Sequence, residues 1–284
     1  MSLPLEHTIQ INSGALAVYE WPGAGPPLLF AHATSFHARC WDQVIARLPG
    51  RHCYAADLRG HGRSFKPAPP YHWRSFGEDL VELIDQLQLR EAFGIGHSMG
   101  GYALTLAAAL QPSHFAQLLL LDPTILPRDW YSSEPLSAEN FAARRRNEWN
   151  SPTEMFERFC ARSPFANWDA EVLRDYCDYG LLPADKGDGL VLACPPTVES
   201  SVYQQSAVAD IYDELASIKI PVQIVRAGRM KEGPFDMSAS PTALDLVTHF
   251  AQGSDACWPE HSHFIPMEAP ARVAKLITQL LRYA

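Results

Sequence analysis

The sequence lacks the features that mark several large classes of protein. Its 284 residues include only six cysteines, which lie far apart, with no C-x-x-C pair and no zinc-ribbon spacing. This spacing favours reduced thiols, so we predict a cytoplasmic protein without a disulfide framework. No stretch approaches the roughly 18 apolar residues of a membrane-spanning helix, and no basic segment followed by an apolar run opens the sequence. We therefore expect neither a membrane span nor a signal peptide.

Positive charge is also scarce, since 23 Lys and Arg residues stand against 32 Asp and Glu residues and the formal net charge is −9. An acidic chain without a dense basic stripe is a poor candidate for binding nucleic acid, and anionic membrane surfaces should repel it. The 47 % content of hydrophobic residues is that of an ordinary globular protein. We expect a small-molecule partner rather than nucleic acid or membrane, and self-association into a homo-oligomer stays open.

The pattern of the first 122 residues alternates short apolar runs with amphipathic helical stretches. Such alternation predicts a parallel sheet with helical crossovers. One of the helices is expected to begin at Ser75-Phe-Gly-Glu78, which has the spacing of a capping box.

The segment between residues 125 and 180 differs from the rest of the chain. It is rich in aromatic residues, is broken by prolines and shows no apolar run typical of a buried strand. We interpret it as part of an insertion over the sheet, made of short helices. The predicted domains are an α/β core formed by residues 1–123 and 216–284, and a helical cap formed by residues 124–215.

The strongest chemical signal is the G-x-S-x-G motif at Gly96-His97-Ser98-Met99-Gly100. An apolar strand is predicted before it and an Ala/Leu-rich helix after it. A serine at such a junction sits in a tight turn, and its flanking glycines let neighbouring backbone approach closely. The turn raises the hydroxyl above the carboxyl edge of the sheet, where parallel sheets bind substrates. Ser98 is therefore the predicted nucleophile.

A serine hydroxyl needs a general base within hydrogen-bond reach. His263 follows the last predicted strand and can lean over the nucleophile, so we favour it over its neighbour His261. The two histidines do not predict a metal site, because no further ligands with suitable spacing follow and the sequence has no H-E-x-x-H motif.

Four short sequence motifs occur along the chain in an order that is typical of one protein family. They are His32-Ala33-Thr34, Asp57–Ser64, the Ser98 motif and His263–Pro270. Together they resemble the serine hydrolases of the α/β-hydrolase fold over nearly the whole chain. The resemblance implies a mostly parallel eight-stranded sheet with helices on both faces, a helical cap inserted after the sixth strand, and no cofactor or metal. Related enzymes that act on haloalkanes or epoxides carry aspartate at the nucleophile position, so Ser98 argues against those chemistries.

The same resemblance assigns an oxyanion hole, the pair of N–H groups that binds the negative oxygen of the reaction intermediate. Its donors would be the backbone amides of Met99, just after the nucleophile, and Thr34, in the loop after the third strand. Ala33 stands where the family usually has glycine. The Asp57–Ser64 block is interpreted as structural, fixing a loop against the site.

The acid that should orient His263 is the open question. In the family, the acid commonly stands three residues after a glycine that corresponds to Gly228. In this sequence the residue at that position is Lys231. Asp122, at the end of the sixth strand, is our favoured acid and Asp236 is the alternative. Glu232, or no acid at all, also stays open.

These assignments predict a serine hydrolase that cleaves a small-to-medium, fairly apolar carboxylic ester. Aromatic residues of the insertion would line the substrate pocket, although packing is the simpler interpretation for any single one. The run Arg144-Arg145-Arg146 is interpreted as a solvated helix face. The alternatives are hydrolysis of a thioester, amide, lactone or C–C bond, a cofactor-free lyase on the same scaffold, and a non-catalytic receptor for a small ligand.

Overall fold

The protein is described by a computed structural model over residues 3–136, 141–228 and 239–282. An eight-stranded sheet forms its centre and a three-stranded sheet lies in the insertion. The strands are β1 (Leu5–Ile11), β2 (Gly14–Trp21), β3 (Ala24–Ala31), β4 (Arg51–Ala56), β5 (Ala92–His97), β6 (Phe115–Leu121), β7 (Glu148–Trp149), β8 (Leu181–Pro183), β9 (Leu190–Leu192), β10 (Val222–Ala227) and β11 (Gly253–Trp258).

The large sheet has the order β1-β2-β4-β3-β5-β6-β10-β11. β2 pairs antiparallel with β1 and with β4, and every other neighbouring pair is parallel. The predicted mostly parallel eight-stranded sheet is therefore confirmed. Because the parallel strands end at one edge, the loops after β3, β5, β6 and β10 meet there.

Helices cover both faces of the sheet. The strand β6 shows why, because its consecutive leucines are all buried and alternate between the two faces. Leu118 and Leu120 belong to the apolar cluster on one face, and Leu119 and Leu121 belong to the cluster on the other. The helices are α1 (Asp42–Ile45), α2 (Trp73–Gln86), α3 (Met99–Leu110), α4 (Pro152–Phe159), α5 (Ala170–Tyr179), α6 (Pro196–Ser206), α7 (Tyr212–Leu215), α8 (Ile265–Glu268) and α9 (Pro270–Leu280).

The predicted capping box at Ser75 is wrong. Helix α2 already begins at Trp73, and the extended residue before it, His72, makes no side-chain capping bond. Trp73 is buried and its indole N–H donates to the Val202 carbonyl oxygen at 2.8 Å. The helix begins two residues earlier than expected, so Ser75 lies within its first turn and does not cap it.

The insertion after β6 contains α4 to α7, as expected, but it also contains strands. β9 pairs antiparallel with β7 and with β8, so the absence of strands expected between residues 125 and 180 is wrong at β7. Strands of two and three residues are too short to show a period-two pattern in a sequence. The division of the chain at residues 123 and 216 stays a prediction.

Within the described ranges, no helix is long and apolar enough to cross a membrane.

The turn between β5 and α3 depends on the absence of a side chain at Gly100. A Cβ atom there would lie 2.2 Å from the carbonyl oxygen of Ala31 and 2.6 Å from that of His32. Both are backbone atoms near the end of β3, so neither can move aside cheaply. We therefore expect Gly100→Ala to destabilise the protein by about 1–3 kcal/mol, as overpacking does.

Thermal unfolding of Gly100→Ala beside Gly189→Ala tests this expectation. Gly189 lies in the insertion, and a Cβ there would meet nothing nearer than the Trp149 carbonyl oxygen at 3.9 Å. Equal melting temperatures for the two variants would contradict the close-contact argument.

Candidate active site

The backbone at Ser98 adopts a conformation that is rare for a residue with a side chain, with φ 55° and ψ −119°. Hydrogen bonds from three amides hold this turn. The Ser98 N–H donates to the Leu121 carbonyl oxygen, and the amides of Tyr102 and Thr124 both donate to the Ser98 carbonyl oxygen, each at 3.1 Å. Gly96 permits the close approach of α3, since a Cβ on it would lie 2.6 Å from the Gly100 carbonyl oxygen. The turn therefore presents the Ser98 side chain at the carboxyl edge of β5.

Three of the predicted side chains form one continuous hydrogen-bonded chain. Ser98 Oγ lies 2.9 Å from His263 Nε2, and His263 Nδ1 lies 2.6 Å from Asp122 Oδ2. All three residues are buried, Asp122 completely. They come from the loops after β5, β11 and β6, so the sheet brings together residues that are up to 165 positions apart in the sequence.

The order of these contacts sets the proton positions. Because a carboxylate only accepts, His263 must donate its Nδ1–H to Asp122, and its Nε2 is then free to accept the Ser98 hydroxyl proton. The Ser98 oxygen also lies 3.0 Å from Thr124 Oγ1. Because Ser98 donates its own hydrogen bond to His263, its oxygen can accept a hydrogen bond from the Thr124 hydroxyl. His263 is thus aligned to take a proton from Ser98.

The second oxygen of Asp122 is held separately. Asp122 Oδ1 accepts from the Ala227 amide at 2.9 Å and from the Ser240 hydroxyl at 2.5 Å. These donors satisfy a carboxylate that is buried away from water. The alternative acids Asp236 and Glu232 lie in the segment 229–238, outside the described residues.

Thr34 and Met99 lie side by side next to Ser98. The Thr34 hydroxyl is 3.5 Å from the Met99 sulfur, and both residues are buried. Met99 is the first residue of α3, where backbone amides have no partner within the helix. Among the described residues, neither amide donates a hydrogen bond to a protein acceptor. Within the described residues, both N–H groups are therefore free of protein acceptors, as donors of an oxyanion hole must be.

Comparison with known proteins identifies the family of the chain. The model of the alpha/beta hydrolase family matches residues 28–276. The chain belongs to the alpha/beta hydrolase family. Enzymes make up this family, and its members with assigned names include hydrolases and esterases.

Two curated relatives from bacteria match most of the chain. The 2-(acetamidomethylene)succinate hydrolase of Mesorhizobium japonicum is 26 % identical, over 91 % of this chain and 89 % of the relative. An esterase of Mycobacterium tuberculosis is 26 % identical, over 79 % of this chain and 74 % of the relative. Among solved structures, a peroxisomal alpha/beta hydrolase of Saccharomyces cerevisiae superposes with a TM-score of 0.77 at 16 % identity, covering 100 % of this chain and 91 % of that one.

The competing histidine of this alpha/beta hydrolase is placed elsewhere. His261 Nδ1 lies 3.1 Å from a carboxylate oxygen of Glu268, on α8, rather than at Ser98. Among the residues that the structure describes, no group of three or more His, Cys, Asp or Glu side chains is arranged to hold a metal ion.

The Asp57–Ser64 block of the hydrolase braces the loop after β3. Buried Asp57 accepts from the Ala38 amide at 2.7 Å and from the Arg63 amide at 2.8 Å. Burial raises the pKa of Asp57 to about 6. The short turn needs Gly62, whose φ is +51° and whose Cβ would overlap the Asp57 carboxylate.

Arg145 corrects our interpretation of the arginine run as a solvated face. Its guanidinium Nη1 lies 2.5 Å from Glu199 Oε2 and its Nη2 donates to the Tyr176 hydroxyl at 3.0 Å, in the interior of the insertion. Its partner Glu199 is 2 % exposed. The flanking Arg144 and Arg146 are exposed as predicted, and Arg146 pairs with Glu154 and lies over the Trp149 ring.

The predicted site missed Thr124 and Ser240, which contact Ser98 and Asp122. Thr124 stands two residues after Asp122, so the same strand end could have indicated it. Ser240 follows the undescribed segment 229–238, and no local pattern marks it.

Aromatic side chains of the insertion lie next to the site. The Phe36 ring contacts those of Trp168 and Tyr176, which belong to the insertion, and that of Phe264, at centroid distances of 5.4 to 6.1 Å. Phe264 directly follows His263. An apolar cluster therefore lies against the base.

Four buried histidines surround this region as neutral rings. His97 donates its Nε2–H to the His263 carbonyl oxygen at 2.7 Å, and His32 accepts the Leu58 amide on Nε2. Burial lowers the pKa of both well below the ordinary value. Burial also lowers the pKa of His37 and of His61 to about 4.

These shifts predict that the buried histidines stabilise the protein less in mild acid. A histidine whose pKa is lowered in the folded protein takes up a proton on unfolding below pH 6.5. Its contribution to the free energy of unfolding is therefore present above that pH and is lost as the pH falls towards 4. Burial acts in the opposite sense on Asp57 and on Asp175, whose pKa it raises to about 7. It also raises the pKa of four further carboxyl groups, those of Asp42, Asp79, Asp178 and Glu199. The contribution of the four histidines to the free energy of unfolding should nevertheless fall from pH 6.5 to pH 5, and a histidine variant isolates it.

Urea unfolding at several pH values measures this slope. His61→Gln should reduce it by up to about 1.4 kcal/mol per pH unit, the effect of one proton. Stability curves of variant and parent that run parallel between pH 6.5 and 5 would refute the assignment.

Proposed function

We propose that this enzyme is a serine hydrolase that cleaves a small-to-medium, fairly apolar carboxylic ester. The observation that carries the proposal is the hydrogen-bonded chain from Ser98 through His263 to Asp122, with Thr34 in contact with Met99, the residue after Ser98. This arrangement has the parts that acyl transfer requires: a nucleophile, a base, a group that orients the base, and donors for an oxyanion.

In the first half of the reaction, Ser98 Oγ attacks the carbonyl carbon of the ester while His263 Nε2 takes the hydroxyl proton. Asp122 stabilises the imidazolium that results. The carbonyl oxygen becomes negatively charged and accepts hydrogen bonds from the Thr34 and Met99 amides. The intermediate collapses when the ester C–O bond breaks and His263 gives its proton to the departing alcohol. Ser98 is left as an acyl ester.

In the second half, water replaces the alcohol. His263 takes a proton from water, whose oxygen attacks the acyl carbon, and the same amides hold the second oxyanion. Breaking the bond to Ser98 Oγ releases the carboxylic acid, and the proton on His263 returns to Ser98.

The preference for an apolar substrate rests on the aromatic cluster. Phe36, Trp168 and Phe264 are buried against one another beside His263. Such side chains give an acyl or alcohol group an apolar surface to contact.

A second candidate is cleavage of an amide at the same site. One of the relatives is named for a substrate that carries an acetamido group. The attack is the same, but His263 must then protonate an amine. Matched p-nitrophenyl esters and p-nitroanilides of the same acids separate the two candidates.

We expect Ser98→Ala to fold normally but to lose turnover of p-nitrophenyl esters and covalent labelling by a fluorophosphonate, because no other group replaces the attacking oxygen. An ester series of rising acyl length, measured with the parent enzyme, gives the chain-length preference. The proposal fails if Ser98→Ala is labelled at the parent rate or still turns esters over at that rate.

We expect Asp122→Asn to lower kcat by about 10⁴, the size of effect that replacing the orienting aspartate has in serine proteases. The amide cannot accept the Nδ1–H of His263 as a carboxylate does, so the wrong tautomer becomes favourable. Asp236→Asn is the matched comparison, with a mild effect expected. Equal losses in the two variants would argue against Asp122 as the acid.

A further inference from the structure

The hydroxyl of Thr124 lies at the nucleophile, although Thr124 is not one of the three residues of the hydrogen-bonded chain. Thr124 Oγ1 is 3.0 Å from Ser98 Oγ, and the Thr124 amide donates to the Ser98 carbonyl oxygen at 3.1 Å. One residue therefore contacts the nucleophile at two points, through its backbone and through its side chain. The reaction described above uses neither contact.

The chain after β6 bends sharply, and this bend places Thr124. Asp122 has φ 46°, a left-handed conformation that is uncommon for any residue except glycine. The Ile125 amide then donates to the Pro123 carbonyl oxygen at 2.8 Å, which closes a three-residue turn with Thr124 at its centre. The Thr242 hydroxyl donates to the same Pro123 oxygen at 2.7 Å. The backbone around Thr124 is therefore fixed by contacts that do not involve a substrate.

The direction of the bond between the two hydroxyl groups follows from their partners. His263 donates its Nδ1–H to Asp122, so its Nε2 needs a donor, and Ser98 Oγ lies 2.9 Å from it. A Ser98 hydroxyl that donates to His263 is left to accept from Thr124. Within the described ranges, the Thr124 hydroxyl makes no other hydrogen bond. The hydrogen bonds therefore all point one way, from Thr124 through Ser98 and the base to the acid.

This bond can persist while the other bonds of Ser98 Oγ change. During attack, the O–H bond of Ser98 breaks, its proton passes to His263 Nε2, and an electron pair of Oγ forms the bond to the carbonyl carbon. Oγ keeps a further lone pair for the Thr124 hydroxyl, which retains its own proton. When the acyl enzyme is cleaved, the pair of the C–O bond returns to Oγ, and His263 gives Oγ its proton.

Negative charge develops on Ser98 Oγ in both events. Hydrogen bonds to a charged oxygen are stronger than those to a neutral one, so a fixed donor at Oγ stabilises the transition states more than the resting enzyme.

We propose that Thr124 is a further catalytic residue: its hydroxyl donates to Ser98 Oγ, holds that atom towards His263 and stabilises the charge that develops on it. The role rests on the proposed function, because it requires Ser98 to be the nucleophile. It belongs to the nucleophile rather than to one substrate. Its loss should therefore slow every substrate by a similar factor, whereas loss of a substrate contact would depend on the substrate.

Thr124→Val is the sharpest variant, because it keeps the shape of the side chain and the amide that bonds to Ser98 and removes only the hydroxyl. We expect kcat/KM for p-nitrophenyl esters to fall roughly ten- to hundredfold, the usual effect of a hydrogen bond to a charged group. The factor should be similar across acyl lengths. The second-order rate of fluorophosphonate labelling should fall by a similar factor, because the same oxygen attacks that reagent.

Thr124→Ser is the rescue variant, since it keeps the hydroxyl and loses only a methyl group, and it should retain most of the parent rate. Thr105→Val is the matched control. It removes another buried threonine hydroxyl, which donates to the Gly101 carbonyl oxygen within α3, and should leave kcat/KM unchanged. If Thr124→Val does not fold, Thr124→Ala removes the hydroxyl without adding a methyl group and gives the same comparison with Thr124→Ser.

A parent-like labelling rate in Thr124→Val, or a loss confined to one ester of the series, overturns the inference. Equal losses in Thr124→Val and Thr124→Ser also overturn it, because the shape of the side chain would then matter and the hydroxyl would not. These results leave the proposed function standing as long as Ser98→Ala abolishes labelling. Labelling that persists in Ser98→Ala removes the nucleophile, and with it both the proposed function and the inference.

Discussion

The buried carboxylate of Asp122 is the constraint on which the geometry of the site depends. Among the described residues, no arginine or lysine lies within ion-pair distance of it, so its direct contacts are hydrogen bonds. Those bonds come from the end of β10, from Ser240 and from His263, three separate parts of the chain. Satisfying one carboxylate therefore fixes the two strand ends and the histidine loop relative to one another. His97, which donates to the His263 carbonyl oxygen, fixes that loop from a second side.

The turn at Ser98 transmits this order to the nucleophile. Its amide bonds to Leu121, the residue just before Asp122, and the Thr124 amide bonds back to its carbonyl oxygen. The strained serine and the acid are thus coupled through adjacent strand ends, not only through His263. Glycines are needed at the turn because β3, β5 and α3 approach so closely there that a methyl group would strike the backbone.

The core and the residues of the candidate site could be predicted from the sequence, because both depend on patterns that are local. A few neighbouring residues are enough to recognise each of three features: the apolar runs of β5 and β6, the G-x-S-x-G motif and the late His263. Asp122 is harder to predict, since an aspartate that only ends a strand and one that orients a histidine have the same sequence pattern. The contact with His263 distinguishes them. The partly buried position of Arg145 could not be predicted, because nothing in the run of three arginines distinguishes it from its exposed neighbours. Its partner Glu199 lies 54 residues away in the sequence.

The aromatic contacts of the insertion connect it to two loops of the site. Phe36, two residues after Thr34, contacts Trp168 and Tyr176 of the insertion. Trp168 also contacts Phe264, the residue that follows His263. An insertion that only covered the substrate could vary without effect on these loops. Here, a change of the aromatic cluster for another substrate would also disturb the packing of the loops that carry Thr34 and His263.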